Sequence, residues 1–183
     1  MSTTTLITAE EFARMSFDTP VELLCGEIVT MTRPGQRHGT VCIRTGAVLL
    51  KWEETQPERW NITSNDSGVV LSRDPDSVRG PDLYVIRLAR LPGGNVSDGV
   101  LTVPPDVAIE VVSPSDRWPA VVEKVGQFLK AGVAEVWVLN PEHRRLHLYR
   151  IDDEPTVLNA DGTLHSQVLP GFECPVAEFF RGA

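Results

Sequence analysis

The chain has 183 residues, 42% of them apolar and 23% charged, which fits one soluble globular domain spanning 1–183 with a core of its own. No apolar run approaches the ~20 residues of a membrane helix, and Met1 to Thr5 lack the basic-then-apolar pattern of a leader, so the cytoplasm is the expected location. The net charge of −8 argues against a protein that coats nucleic acid through a broad basic surface. It leaves room for a nucleic-acid enzyme whose acidic metal site lies in a locally basic groove.

The first element is a capping box, Thr8-Ala9-Glu10-Glu11, opening a short helix through Met15. Val21 to Met31 reads as a hairpin turning at Gly26. A helix is expected from about His38 to Glu54, because Val41, Thr45, Val48 and Trp52 fall on one face. Asn61–Thr63 and Gly68–Ser72 read as strands around a Ser-Asn-Asp-Ser turn, and Asp74 to Gly80 as a polar turn region. Leu83–Ile86 is a strand introduced by Pro81-Asp82, and Leu91 to Gly99 a loop. Val107-Ala108-Ile109-Glu110-Val111-Val112 is a fully buried strand. A helix follows, capped by Ser115 or Asp116 and ending at Gly132. Strands at Glu135–Leu139, Arg145–Ile151 and Leu164–Leu169 and a terminal helix at Val176–Phe180 complete a mixed sheet flanked by helices, an α/β or α+β fold. Cys25, Cys42 and Cys174 are scattered, so neither a disulfide framework nor a Cys-x-x-Cys zinc site is expected.

Glu110 is the anomaly in this pattern. An unpaired carboxylate inside an apolar strand costs several kcal/mol, so it must be protonated, paired or bound to a cation. Neighbouring strands lie roughly 5 Å apart, so carboxylates on two of them can share an ion. Asp82, at the mouth of the preceding strand, could form such a pair with Glu110. On the helix that follows, Val121, Val125, Phe128 and Leu129 make the apolar stripe, and Lys124 flanks it at about 60° from Val121. Its ammonium can be directed inward, whereas Glu123 faces solvent. Carboxylates, an ion and a cation are what metal-dependent phosphodiester hydrolysis needs.

These residues resemble the putative restriction-endonuclease family, a bacterial group formerly listed as a domain of unknown function, within the PD-(D/E)XK nuclease superfamily. The resemblance covers nearly the whole chain: the hairpin 21–31, the loop Pro34 to His38, Pro81-Asp82, Pro105 to Ser115 around Glu110, Lys124, Ala131 to Pro141, and Leu169-Pro170-Gly171-Phe172. It implies a restriction endonuclease-like core at about 38–151 with Mg²⁺ (or Mn²⁺) held by Asp82, Glu110 and the backbone carbonyl of Val111. It also implies DNA as substrate and, by fold analogy, a homodimer. The superfamily's lysine two residues after the glutamate is here Val112; the resemblance assigns its role to Lys124. Ala120 stands where relatives carry Asp, a place Asp116 can take.

Supporting residues stay open at this level. His38 either starts its helix or shuttles a proton near the phosphate. Glu27 is either a turn residue or faces the cleft. Asp106 lies roughly 13 Å from Glu110 along the strand, too far to share an ion, and reads as a strand-start residue. The expected function is a Mg-dependent DNA endonuclease. The alternative is a catalytically inactive nucleic-acid-binding or scaffold domain that keeps the fold, favoured by the net charge and by Val112.

Overall fold

The computed structural model describes residues 6–65 and 67–183. The leader-free reading of Met1 to Thr5, and Asp66 within the Ser-Asn-Asp-Ser turn, lie outside the described residues. Among the described residues, three sheets are built from twelve strands, with α1 (Ala9–Phe12), α2 (Gln36–Glu53), α3 (Trp118–Lys130) and α4 (Val176–Phe179) around them. Among the described residues no helix is long and apolar enough to cross a membrane.

The large sheet has the order β10-β9-β8-β7-β6-β3. Its strands are β3 (Trp60–Ser64), β6 (Leu83–Arg87), β7 (Val107–Val111), β8 (Glu135–Asn140), β9 (Arg145–Tyr149) and β10 (Thr156–Leu158). Among the described residues of this sheet only β7 and β8 are parallel, and they are joined by the α3 crossover that parallel neighbours require. Strand alternation then fixes the two faces. Val107, Ile109 and Val111 pack with Val41 and Leu49 of α2, while Ala108 packs with Val125 and Phe128 of α3. Glu110 therefore emerges on the α3 side. Burying the largest of these side chains is worth about 1.5–3 kcal/mol each, which makes this double-sided packing the main source of cohesion.

A second sheet, in the order β2-β1-β5-β4, contains β1 (Val21–Leu24), β2 (Glu27–Thr30), β4 (Val69–Ser72) and β5 (Ser77–Arg79). Its hairpin turns on Cys25 and Gly26, whose φ angles of +50° and +79° are the pair a two-residue I′ turn demands. A small pair, β11 (Thr163–His165) with β12 (Glu173–Pro175), closes the C-terminal side.

Most expected elements are present within two or three residues, including the Thr8–Glu11 capping box and Gly132 just past α3 at φ +101°. Three expectations are corrected. Asp74 to Gly80 is not all turn: Ser77-Val78-Arg79 is a buried strand. Its polar ends hid it, and Arg79 is buried only because a carboxylate from another strand meets it. Neither Ser115 nor Asp116 caps α3. Arg117 occupies the N-cap position, and Asp116 Oδ2 instead accepts the backbone N–H of Ser113 at 2.7 Å. The Leu164–Leu169 segment is strand only at its start, with Ser166 Oγ accepting the N–H groups of Val168 and Leu169 in a turn.

Gly80-Pro81-Asp82 connects β5 of the small sheet to β6 of the large one. The two sheets meet at this corner, and the cleft described next opens there.

Candidate active site

Asp82 precedes β6 by one residue. The β6–β7 register pairs Leu83 with Ile109, so continuing it by one step sets Asp82 across from Glu110. Asp82 is fixed from two sides. Its Oδ2 accepts the backbone N–H of Val111 at 2.6 Å, and its Oδ1 lies 3.0 Å from His38 Nε2. His38 comes from the first turn of α2 and is buried beside the cleft. A histidine held this way by a carboxylate in turn orients that carboxylate.

Lys124 reaches the same place from the middle of α3. Its ammonium lies 2.9 and 3.1 Å from the two oxygens of Glu110, 3.1 Å from Glu22 Oε1, and donates to the Gly80 carbonyl at 2.9 Å. Val112, where the superfamily's usual lysine would stand, packs instead among the apolar residues under α3. Glu22 is on β1 of the small sheet. Its Oε2 accepts from Arg79 at 3.0 Å and its Oε1 from the Gly80 N–H at 3.1 Å, while Arg79 also donates to Gln127 of α3 at 2.7 Å. Carboxylates from β7 and β1, one in each of the two larger sheets, and the connection between β5 and β6 thus converge on one ammonium.

The electrostatics are unbalanced. Three carboxylates, Glu22, Asp82 and Glu110, face two permanent cations, Lys124 and Arg79. Burial pushes the Glu110 carboxyl up to about 8, with Lys124 opposing the rise and the charges of Asp82 and Glu22 adding to it. Burial acts against the charge of Lys124, but Glu110 and Glu22 beside it outweigh that and hold its ammonium above the ordinary lysine range. Glu110 Oε1 is buried and close to the ammonium, yet it lies off the hydrogen-bonding direction, and no donor among the described residues satisfies it. A buried carboxylate oxygen without a donor, beside a second carboxylate, is a place that a divalent cation fits. The cleft here has about 100 Å³ of free volume, enough for a hydrated ion, and Glu22, His38, Asp82, Glu110, Val111 and Lys124 line it.

Of the residues expected from sequence, Asp82, Glu110, Val111, Lys124 and His38 come together in this cleft. Glu27 does not. It is exposed at the start of β2, opposite Leu24, on the same sheet face as Glu22 but at the turn end of the hairpin, whereas the cleft lies at the open end beside Val21, Glu22 and Met31. Of the two readings left open for Glu27, the one that faces it into the cleft is corrected: the carboxylate that this hairpin brings there is Glu22. Glu22 and Arg79 were not singled out from sequence. Glu22 had a signal, a charge set between apolar neighbours in Val21-Glu22-Leu23-Leu24 just as Glu110 is in its strand. Arg79 had none. Asp106 takes the strand-start role, accepting the N–H of Arg87 at 2.7 Å and pairing with Arg90 at 2.5 Å.

A mixed sheet flanked by helices, with an acidic cleft where strand ends meet a helix, defines a restriction endonuclease-like α+β protein. The family model described as Uma2, putative restriction endonuclease, matches residues 9–177, and the chain belongs to that family. A solved structure described as a putative nuclease belonging to DUF820, from Anabaena variabilis, matches with a TM-score of 0.82 at 20% identity, over 96% of this chain and 98% of that one. Similarity at that identity is a similarity of fold. No curated protein matches the chain.

Proposed function

We propose that the chain is a divalent-metal-dependent nuclease that hydrolyses DNA phosphodiester bonds. The observation that carries this reading is Glu110, a buried carboxylate with an oxygen lacking a donor, set beside Asp82 and tied to Lys124. Asp82 and Glu110, with the Val111 carbonyl, would hold Mg²⁺ or Mn²⁺. When bound, such an ion neutralises phosphate charge and lowers the pKa of water.

The chain's own groups divide the remaining work. Lys124 stays protonated between Glu110 and Glu22, so it serves as a fixed positive charge that orients water or stabilises the transition state, not as a base. Glu22, locked by Arg79 and the Gly80 N–H, keeps that ammonium at the cleft. His38 and the Val111 N–H leave Asp82 little freedom to turn. In this reading the protein acts on duplex DNA as a homodimer, by analogy with the fold.

The test is cleavage of supercoiled plasmid and of single-stranded DNA with Mg²⁺ or Mn²⁺. Asp82→Ala and Glu110→Ala should each lose about 10²-fold or more, the equivalent of several kcal/mol of lost transition-state stabilisation. Wild-type protein that cuts no nucleic acid above the level of these variants overturns the enzyme. The second reading, a non-catalytic nucleic-acid-binding or scaffold domain, would then stand; the net charge of −8 and Val112 favour it.

A further inference from the structure

His38 and Cys42 stand four residues apart on α2, so their side chains leave the same face of the helix. Asp82 meets them from the start of β6. One ligand atom from each of the three lies within 4.8 Å of the other two. His38 uses both ring nitrogens here, Nε2 at 3.0 Å from Asp82 Oδ1 and Nδ1 at 3.5 Å from Cys42 Sγ. Two ligands one helical turn apart and a third from a separate element is how three-ligand zinc sites are assembled.

The donor set decides which ion suits it. Mg²⁺ takes oxygen ligands and gains little from a thiolate, whereas Zn²⁺ accepts sulfur, imidazole nitrogen and carboxylate oxygen together. Bond lengths of about 2.0–2.3 Å around tetrahedral Zn²⁺ put its ligand atoms roughly 3.3–3.7 Å apart. The spacings between the present side chains, 3.0 Å from Nε2 to Asp82 Oδ1 and 3.5 Å from Nδ1 to Cys42 Sγ, already lie near that range, and a bound ion would take one of the two ring nitrogens. The same three residues line a pocket of about 460 Å³ between α2 and β3, distinct from the Glu110 cleft, which gives an ion a route in and water a place as fourth ligand.

We propose that His38, Cys42 and Asp82 form a binding site for a divalent cation of the zinc class. Asp82 is common to this site and to the hard-ion site, so an ion held here draws Asp82 towards α2 and away from Glu110. That consequence rests on the proposed nuclease; the binding itself does not.

Cobalt titrated into the full-length protein tests it, because Co²⁺ reports thiolate ligation and tetrahedral geometry in its absorption spectrum. A thiolate-to-cobalt band in the near ultraviolet and tetrahedral d–d bands in the visible should rise together and saturate at one ion per chain. Zn²⁺ should bleach both. Cys42→Ser and Cys42→Ala should each abolish the near-ultraviolet band, and His38→Ala should weaken binding about tenfold or more. Cys25→Ser and Cys174→Ser should leave the spectrum unchanged. Circular dichroism confirms that each variant is folded. Absence of the band at stoichiometric Co²⁺, or a band that survives in folded Cys42→Ser and Cys42→Ala, overturns the site. The readout is a spectrum, so loss of the nuclease reading leaves this test intact.

Discussion

Glu110 and Glu135 lie on adjacent strands of the large sheet, and the protein treats them in opposite ways. Glu135 is fully buried, and each of its oxygens is satisfied. Oε1 accepts from Arg150 Nε at 3.0 Å and from the Gln167 N–H at 2.8 Å, and Oε2 from Trp137 Nε1 at 2.9 Å and Ser166 Oγ at 2.8 Å. Arg150 sits against it as a near-dedicated counter-charge. Glu110 shares one ammonium with Glu22 and keeps an oxygen without a donor. Burial is common to both, so burial alone does not mark a site. What separates them is satisfaction: the first glutamate has a donor for each oxygen, tying β8 and β9 to the C-terminal turn, and the second is left with one oxygen that has an ammonium nearby but no hydrogen bond.

Three comparisons test that contrast, the largest effect first. Glu135→Gln leaves Arg150 without its partner in a mostly buried place and should cost about 3–5 kcal/mol in urea unfolding, whereas Glu110→Gln, which leaves Lys124 paired to Glu22 and removes a carboxylate whose charge burial opposes, should not destabilise the protein. Equal costs for the two would erase the distinction. Next comes pH. Folding raises the Glu110 carboxyl from near 4.5 to about 8, so between those values the folded state holds a proton that the unfolded state has released. Stability should therefore fall as pH rises from about 4.5 to 8, by several kcal/mol in the absence of divalent ions. The slope should flatten in Glu110→Gln, and wild-type stability at the high-pH end should recover when Mg²⁺ is added. A slope of the same size in the variant assigns the titration to another group. Smallest is the difference between the two hairpin glutamates. Glu22→Gln loosens the hold on Lys124 and should lower plasmid cleavage about 10–100-fold, while Glu27→Gln should leave it unchanged. The reverse result would restore Glu27 to the cleft.

Legibility from sequence followed the range of the interaction. Helices α2 and α3 were readable because their apolar residues repeat along one face, and β7 because an apolar β-branched run of that length has few other uses. Glu110 was readable because a carboxylate in an apolar strand is a local irregularity, whereas Asp82 and Lys124 were read chiefly through the resemblance to the restriction-endonuclease family. Strand β5 was not, since Ser-Val-Arg has no period of its own and Arg79 is buried only through Glu22, 57 residues away in sequence. Glu135 shows the opposite risk. It too is a carboxylate at the head of an apolar strand, and nothing local says that Arg150, Ser166 and Gln167 will close around it.

The sequence alone determined the class of fold, the order of its main elements and the carboxylates and lysine from which a site can be made. The elements and Glu110 follow from periodicity and from a charge placed where solvation is lost, both properties of neighbouring residues, and Asp82 and Lys124 from the ordered motifs that resemble the family. The tertiary structure decided how they are partnered: that two sheets meet at Gly80-Pro81-Asp82, that Glu22 and not Glu27 joins Lys124, that Cys42 and His38 converge on Asp82, and that Glu135 is satisfied while Glu110 is not. Partnership depends on groups brought together from distant parts of the chain, and only packing sets their distances.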